Sequence, residues 1–168
     1  PFTFTVGGFY TSGDDDYTDD EDEAFRYARG ASHYWSEIMG LGTLDSSVGE
    51  AGDRDHIGPA NRGDYNAADG PSNLWTISVG AAWQALPDTK LTLNYYYINT
   101  AEDVISDLDT LDTDDTIGHE VDFYLDQKVV DGLTLRLIGA YLFADDALSV
   151  SDDDDDIWET GAQLMWAF

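Results

Sequence analysis

The chain contains no cysteine, which excludes a disulfide framework and any thiolate metal site. Cations are nearly as scarce. Seven Lys and Arg stand against 35 Asp and Glu, for a formal net charge of −28. Nucleic acid as a partner is excluded on that balance, because phosphates need Lys and Arg to replace their counterions. So is a polybasic site for anionic lipid headgroups. No apolar run approaches the roughly 18 residues that would suggest a transmembrane helix. No secretory signal pattern opens the chain, and Pro is a poor residue to follow signal cleavage, so Pro1 is expected to be a cut or a boundary. G-x-S-x-G, H-E-x-x-H and Gly-rich phosphate loops are absent too. A Ser/His/Asp set drawn from His33, His56 and His119 has no supporting spacing. The expectation is therefore a protein that is not an enzyme.

What the chain does contain is 42% hydrophobic and 13% aromatic residues, too much apolar character for a disordered acidic tail. The acids are bunched: 15 lie between Gly13 and Ser72, 7 between Ala101 and Ile117, and 7 between Ala144 and Asp156. Between these stretches run segments with period-two alternation, the mark of a strand with two unlike faces. Six strands are expected, at about 1–11, 73–85, 90–100, 118–130, 133–144 and 157–168. GHEVDFYLDQKVV (118–130) alternates most clearly, with Val121, Phe123, Leu125 and Val129 on one face and Glu120, Asp122, Tyr124, Asp126 and Lys128 on the other.

The connections alternate in length. LPDT (86–89) and Asp131-Gly132 are short turns, the second a strong hairpin marker. The other connections are the acidic stretches 12–72, 101–117 and 145–156. Short turns at one end and long loops at the other describe an all-β fold, an antiparallel transmembrane β-barrel of the bacterial outer membrane. About 9–11 tilted residues cross a bilayer, and these strands are about that long or longer. Aromatics gather near the ends of the apolar faces, at Trp75, Trp83, Tyr141, Phe143, Trp158, Trp166 and Phe168, as a lipid-facing girdle would require. A soluble antiparallel sandwich also explains alternation, but not the strand lengths, the loop asymmetry or the aromatic ends. Six strands are fewer than the eight of the smallest single-chain barrels. A piece of a larger barrel, or one barrel shared among chains, is expected.

The closing stretch WETGAQLMWAF, with Leu164, Trp166 and Phe168 on one face, resembles the C-terminal strand that the barrel-assembly machinery reads in outer-membrane proteins. With SGDDD, YWSEIMGLG, NLWTISVGAAW, KLTLNYYYINTAEDV and IGHEVDFYLDQKVVDGLTLRLIGAYLFADD, it makes most of the chain similar to the C-terminal region of alginate-export-like porins. That resemblance implies a barrel of about 16–18 strands, loops outside the cell and the C-terminus in the periplasm. Exporters of alginate line the pore with basic residues for an anionic polymer. Here the wet faces offer Lys128 and Arg136 against Glu120, Asp122, Asp126 and Glu159, a surplus that favours cations or neutral solutes.

On this reading the pore is lined by Thr92, Asn94, Tyr96, Glu120, Asp122, Tyr124, Asp126, Lys128, Thr134, Arg136, Glu159 and Gln163. The plainer reading of Lys128 and Arg136 is cross-strand pairing with Asp126, Asp122 or Glu120. The runs DDDYTDDEDE (14–23) and DDDDD (152–156) match no EF-hand and read as solvated charge. Diffuse, loosely held Ca²⁺ or Mg²⁺ at Asp14, Asp15, Asp16, Asp152, Asp153 and Asp154, bridging to lipopolysaccharide, is the alternative; no other cofactor is expected. In loop 12–72, EAFRYARGASHYWSEIMG (23–40) offers Arg26, Arg29, His33, Tyr34 and Trp35 as a plug in the pore, or Trp35, Ile38 and Met39 as a small packing core. Arg62-Gly63-Asp64 spells an adhesion tripeptide, a weak match at three letters. The expected function is a porin passing small solutes or ions. The alternative is a non-conducting scaffold or surface protein, such as the sheath of a cytochrome conduit, with outer-membrane lipid and a further or identical chain as partners.

Overall fold

The computed structural model describes residues 1–15, 23–25, 35–40, 42, 72–105, 113–148 and 156–168. Six strands form one antiparallel sheet: β1 (Phe2–Thr11), β2 (Leu74–Leu86), β3 (Thr89–Ile105), β4 (Thr113–Val130), β5 (Leu133–Ala144) and β6 (Ile157–Trp166). Each pairs with its neighbour in sequence, so β1 and β6 are the two edges and the sheet is open. One 3-10 turn, Asp146–Leu148, follows β5. No helix among the described residues is long and apolar enough to cross a membrane, a test that does not bear on strands.

Two hairpins set the register. Pro87 and Asp88 turn the chain between β2 and β3, and Asp131-Gly132 turns it between β4 and β5. Gly132 sits at φ 79°, where a Cβ is disfavoured, and the Ala167 carbonyl oxygen would lie 2.5 Å from one. The hairpin turns stand at one end of the sheet and the long connections at the other.

The registers line up the alternation of every strand. Val6, Val79, Tyr95, Val121, Tyr141 and Trp158 form one row across the sheet. Phe4, Ala81, Leu93, Phe123, Gly139 and Thr160 form the next. This apolar face is open to its surroundings: Val6 is 78% exposed, Leu93 52% and Leu164 65%. The opposite face holds Ser78, Tyr96, Glu120 and Leu142 in one row and Gly80, Asn94, Asp122, Ala140 and Glu159 in the next. The buried core lies on that second face, towards the long connections, where Leu74, Tyr96, Ile98, Ile117, Ala140 and Leu142 pack with Ile38, Met39 and Ala147.

The stretch 101–117 departs from the irregular loop expected of it. β3 continues through Ala101 to Ile105 and β4 begins at Thr113, so much of that stretch is a paired arm. The alternation is broken there, at a register shift between Ile98 and Asn99 opposite Gly118, whose φ is 134°. That bulge buries Ile98, Asn99 and Thr100 in succession. Asn73, at φ 53°, ties the arm down: its side-chain amide donates to the Glu102 carbonyl (3.1 Å) and its oxygen accepts from the Glu102 N–H (2.7 Å).

Candidate functional site

Residues 35–40 form a compact lobe on the face opposite the apolar one. The Trp35 N–H donates to the Gly40 carbonyl at 3.3 Å, and the Gly42 N–H to the Glu37 carbonyl at 3.1 Å. Glycine is needed at both closures, since a Cβ on Gly40 would fall 2.3 Å from the Ser36 nitrogen and one on Gly42 2.3 Å from the Glu37 Cα. Two carboxylates of β4 hold the lobe. Glu120 accepts from the Ile38 N–H (2.7 Å), the Met39 N–H (3.0 Å) and the Ser36 hydroxyl (3.0 Å). Asp122 accepts from the Glu37 N–H (3.1 Å). Three successive backbone N–H groups thus close over two acids on one strand face, an anion-binding arrangement built from main chain. Trp35 adds an apolar wedge, edge-on to Phe9 (5.2 Å between ring centres) and to Tyr96 (5.8 Å).

Both acids are fully buried, at 0% exposure, and the Asp122 Oδ1 atom finds no donor. A buried carboxylate is costly unless hydrogen-bonded. Glu120 is well supplied by the lobe and Asp122 only partly, with the Tyr124 hydroxyl at 3.4 Å as a weak second donor.

The residues expected to line a pore divide into groups. Glu120, Asp122 and Tyr96 lie beneath the lobe and not in open water. Thr92, Asn94, Tyr124, Asp126, Thr134, Arg136, Glu159 and Gln163 share the same face, half-buried. Arg136 grips Asp126 directly across the β4–β5 pair, with Nε to Oδ1 at 2.6 Å and Nη2 to Oδ2 at 3.1 Å, and its guanidinium lies 5.5 Å from the Tyr124 ring centre. Lys128 takes a different partner from those expected. A register shift between Lys128 and Val130 leaves it exposed, and its ammonium pairs with Asp131 in the turn. That ammonium holds the Asp131 carboxyl below the usual carboxylate range.

On the other face stand Trp75, Trp83, Tyr141, Phe143, Trp158 and Trp166, with exposed Phe168 just beyond β6. Trp83 and Trp166 lie near the hairpin end, with Phe2 stacked on Trp83 at 5.7 Å. Trp75, Tyr141, Phe143 and Trp158 lie near the other end, where Trp75 meets Tyr97 edge-on at 5.6 Å and Tyr141 meets Phe143 at 4.6 Å. The Tyr141 hydroxyl donates to Asp156 at 2.6 Å. Between them the face carries Val79, Leu93, Val121 and Leu137.

Asp14 and Asp15 are described, and no group of three or more acids or histidines is gathered for a metal among the described residues. Asp16, Asp152, Asp153 and Asp154 lie outside the described residues, as do Arg26, Arg29, His33, Tyr34, His56 and the 62–64 tripeptide. Trp35, Ile38 and Met39 are legible in the sequence as a small core, but the surface they pack on is not. Ile98, Ile138, Ala140 and Leu142, apolar residues on a nominally wet face, were the available sign that something covers it.

No family model, curated protein or solved structure matches the chain.

Proposed function

We propose that the sheet is part of the wall of an outer-membrane β-barrel whose lumen passes small solutes and ions by diffusion, narrowed by the 35–40 lobe. One observation carries this reading: a largely apolar face, aromatic at both ends, spans all six strands and is covered by none of the described residues. In water such a face would be a severe liability, because exposed apolar patches of monomers rarely exceed a few hundred Å². Against lipid it is a solvent-facing surface. From Trp75 to Trp83 β2 advances eight residues, about 26 Å along the strand, which at the ~40° tilt of such barrels spans about 20 Å of their ~25 Å apolar band. The opposite face carries Asp126, Arg136, Glu159 and Gln163, as a wet interior requires.

The hairpin turns would then face the periplasm and the acidic connections the outside. Those connections would make an electronegative mouth that concentrates cations and repels anions. Remaining strands, of this or another chain, would complete the wall, in a barrel similar to alginate-export-like porins. The lobe supports a second reading. By covering Glu120 and Asp122 it removes two acidic side chains from the water path, as a closed, non-conducting scaffold would.

Single-channel recording of the full-length protein in planar bilayers decides between them. Ohmic conductance with cation preference, in a protein that needs detergent and shows heat-modifiable gel mobility, supports the porin. An intact barrel without conductance supports the scaffold, and a protein soluble without detergent refutes both.

A further inference from the structure

Beside the lobe, the wet face of β1–β3 forms a half-open cleft of about 540 Å³. That lies within the range of small-molecule sites, about 300–1,000 Å³. Its walls are Thr5, Trp35, Thr76, Ser78, Asn94 and Tyr96. In a chain of net charge −28, none of the described residues lining this cleft carries a formal charge.

The floor is kept flat by glycine. A Cβ at Gly80 would fall 2.5 Å from the Asn94 side-chain oxygen. The rim is aromatic, with Trp35 set edge-on between Phe9 and Tyr96. The polar wall groups are hydroxyls and one amide, which both donate and accept. Thr76, for example, spends its proton on the Tyr97 carbonyl at 2.9 Å and keeps its lone pairs.

We propose that this cleft binds an uncharged, hydroxyl-rich solute of sugar size. Rings of a saccharide present C–H faces to the aromatic rim and O–H groups to the hydroxyl and amide wall. An anion finds no cation among the described lining residues and meets an acidic chain. A metal ion or ammonium finds no carboxylate among the described lining residues, and Glu120 and Asp122 are closed under the lobe. The inference rests on the wet face being a lumen, and it assigns that lumen a preferred solute class.

The test is calorimetric titration of the full-length protein in detergent with maltose, and with glucuronate as the charged comparator. Saturable maltose binding is expected, tighter than glucuronate, and weakened about 3–10-fold by Ser78→Val, the loss of one neutral hydrogen bond. Trp35→Ala should abolish binding but also frees the lobe, so Ser78→Val and Asn94→Leu, away from the lobe's anchors, carry the test. Absence of saturable maltose binding, or binding unchanged in both wall variants, overturns the proposal. Calorimetry needs no open pore, so the two readings fail separately. Conductance without maltose binding overturns the cleft alone; maltose binding without conductance overturns the porin alone.

Discussion

Replacing Glu120 by Ala should loosen the 35–40 lobe by about 2–4 kcal/mol. Glu120 supplies three hydrogen bonds to the lobe, two to backbone N–H groups and one to a hydroxyl. The net contribution of a hydrogen bond, with the exchange of water already counted, is ~0.5–1.5 kcal/mol, so three give about 1.5–4.5 kcal/mol. The ~2–4 kcal/mol expected lies within that range and corresponds to roughly 30- to 800-fold in the fraction of time the lobe is open. The chain brings no cysteine of its own, so a single Met39→Cys can report opening. Met39 is 4% exposed, and its labelling by a water-soluble maleimide should be slow in the parent and faster by that factor with Glu120→Ala. Asp122→Asn should act in the opposite sense. It keeps an acceptor for the Glu37 N–H and exchanges the buried oxygen that lacks a donor for an amide beside Glu120. Labelling should slow by a few-fold. Equal labelling rates in all three backgrounds, in proteins of unchanged gel mobility, would refute the idea that these carboxylates hold the lobe.

Leu93→Arg, mid-strand on the apolar face, should cost ~2–4 kcal/mol in urea-dependent folding into liposomes, and Thr92→Arg on the wet face less than about 1 kcal/mol. Equal costs would mean that the apolar face does not meet lipid. Arg136→Gln removes a bidentate pair whose side chains are 28% and 16% exposed, so the loss should be about 1–2 kcal/mol in thermal unfolding. It should also raise cation preference in reversal-potential measurements. Gly132→Ala forces a Cβ onto a positive φ and towards the Ala167 carbonyl, at a cost of about 1–2 kcal/mol in the same unfolding assay. Asp131 is the pH-linked group. Its folded pKa is lowered, so whatever it contributes is present above the ordinary carboxylate range and lost as pH falls through the lowered value. Lys128→Gln should return its titration, followed by carboxyl NMR, to the ordinary range.

Alternation made the sheet legible, because with a side-chain period of two a slip by one residue would turn Val79, Leu93, Val121 or Leu137 to the other face. Asp131-Gly132 was legible for a local reason, the positive φ its turn demands. The extensions of β3 and β4 were hidden by composition. AEDVI and TDDTI carry so many acids that they read as loop, and the bulge at Asn99 breaks the alternation that would have linked them to their strands. The lobe was hidden by distance. WSEIMG shows three large apolar residues and HEVDF two acids on a wet face, but nothing local says that one closes on the other. Two glycines fixing a tight turn, and apolar Ile138, Ala140 and Leu142 on that face, become informative only together.

The lobe belongs to the connection between β1 and β2, yet its carboxylate partners stand on β4, at sequence separations of 81 to 85 residues. Closing so long a loop has an entropic cost that the hydrogen bonds repay only once Glu120 and Asp122 are held in place by β3 and β5. Sheet and lobe would therefore arise in a fixed order. A barrel built from this sheet would pass through a stage with its wall formed and its interior still clear, and narrow afterwards. The width of the passage would then be a record of how far assembly has gone.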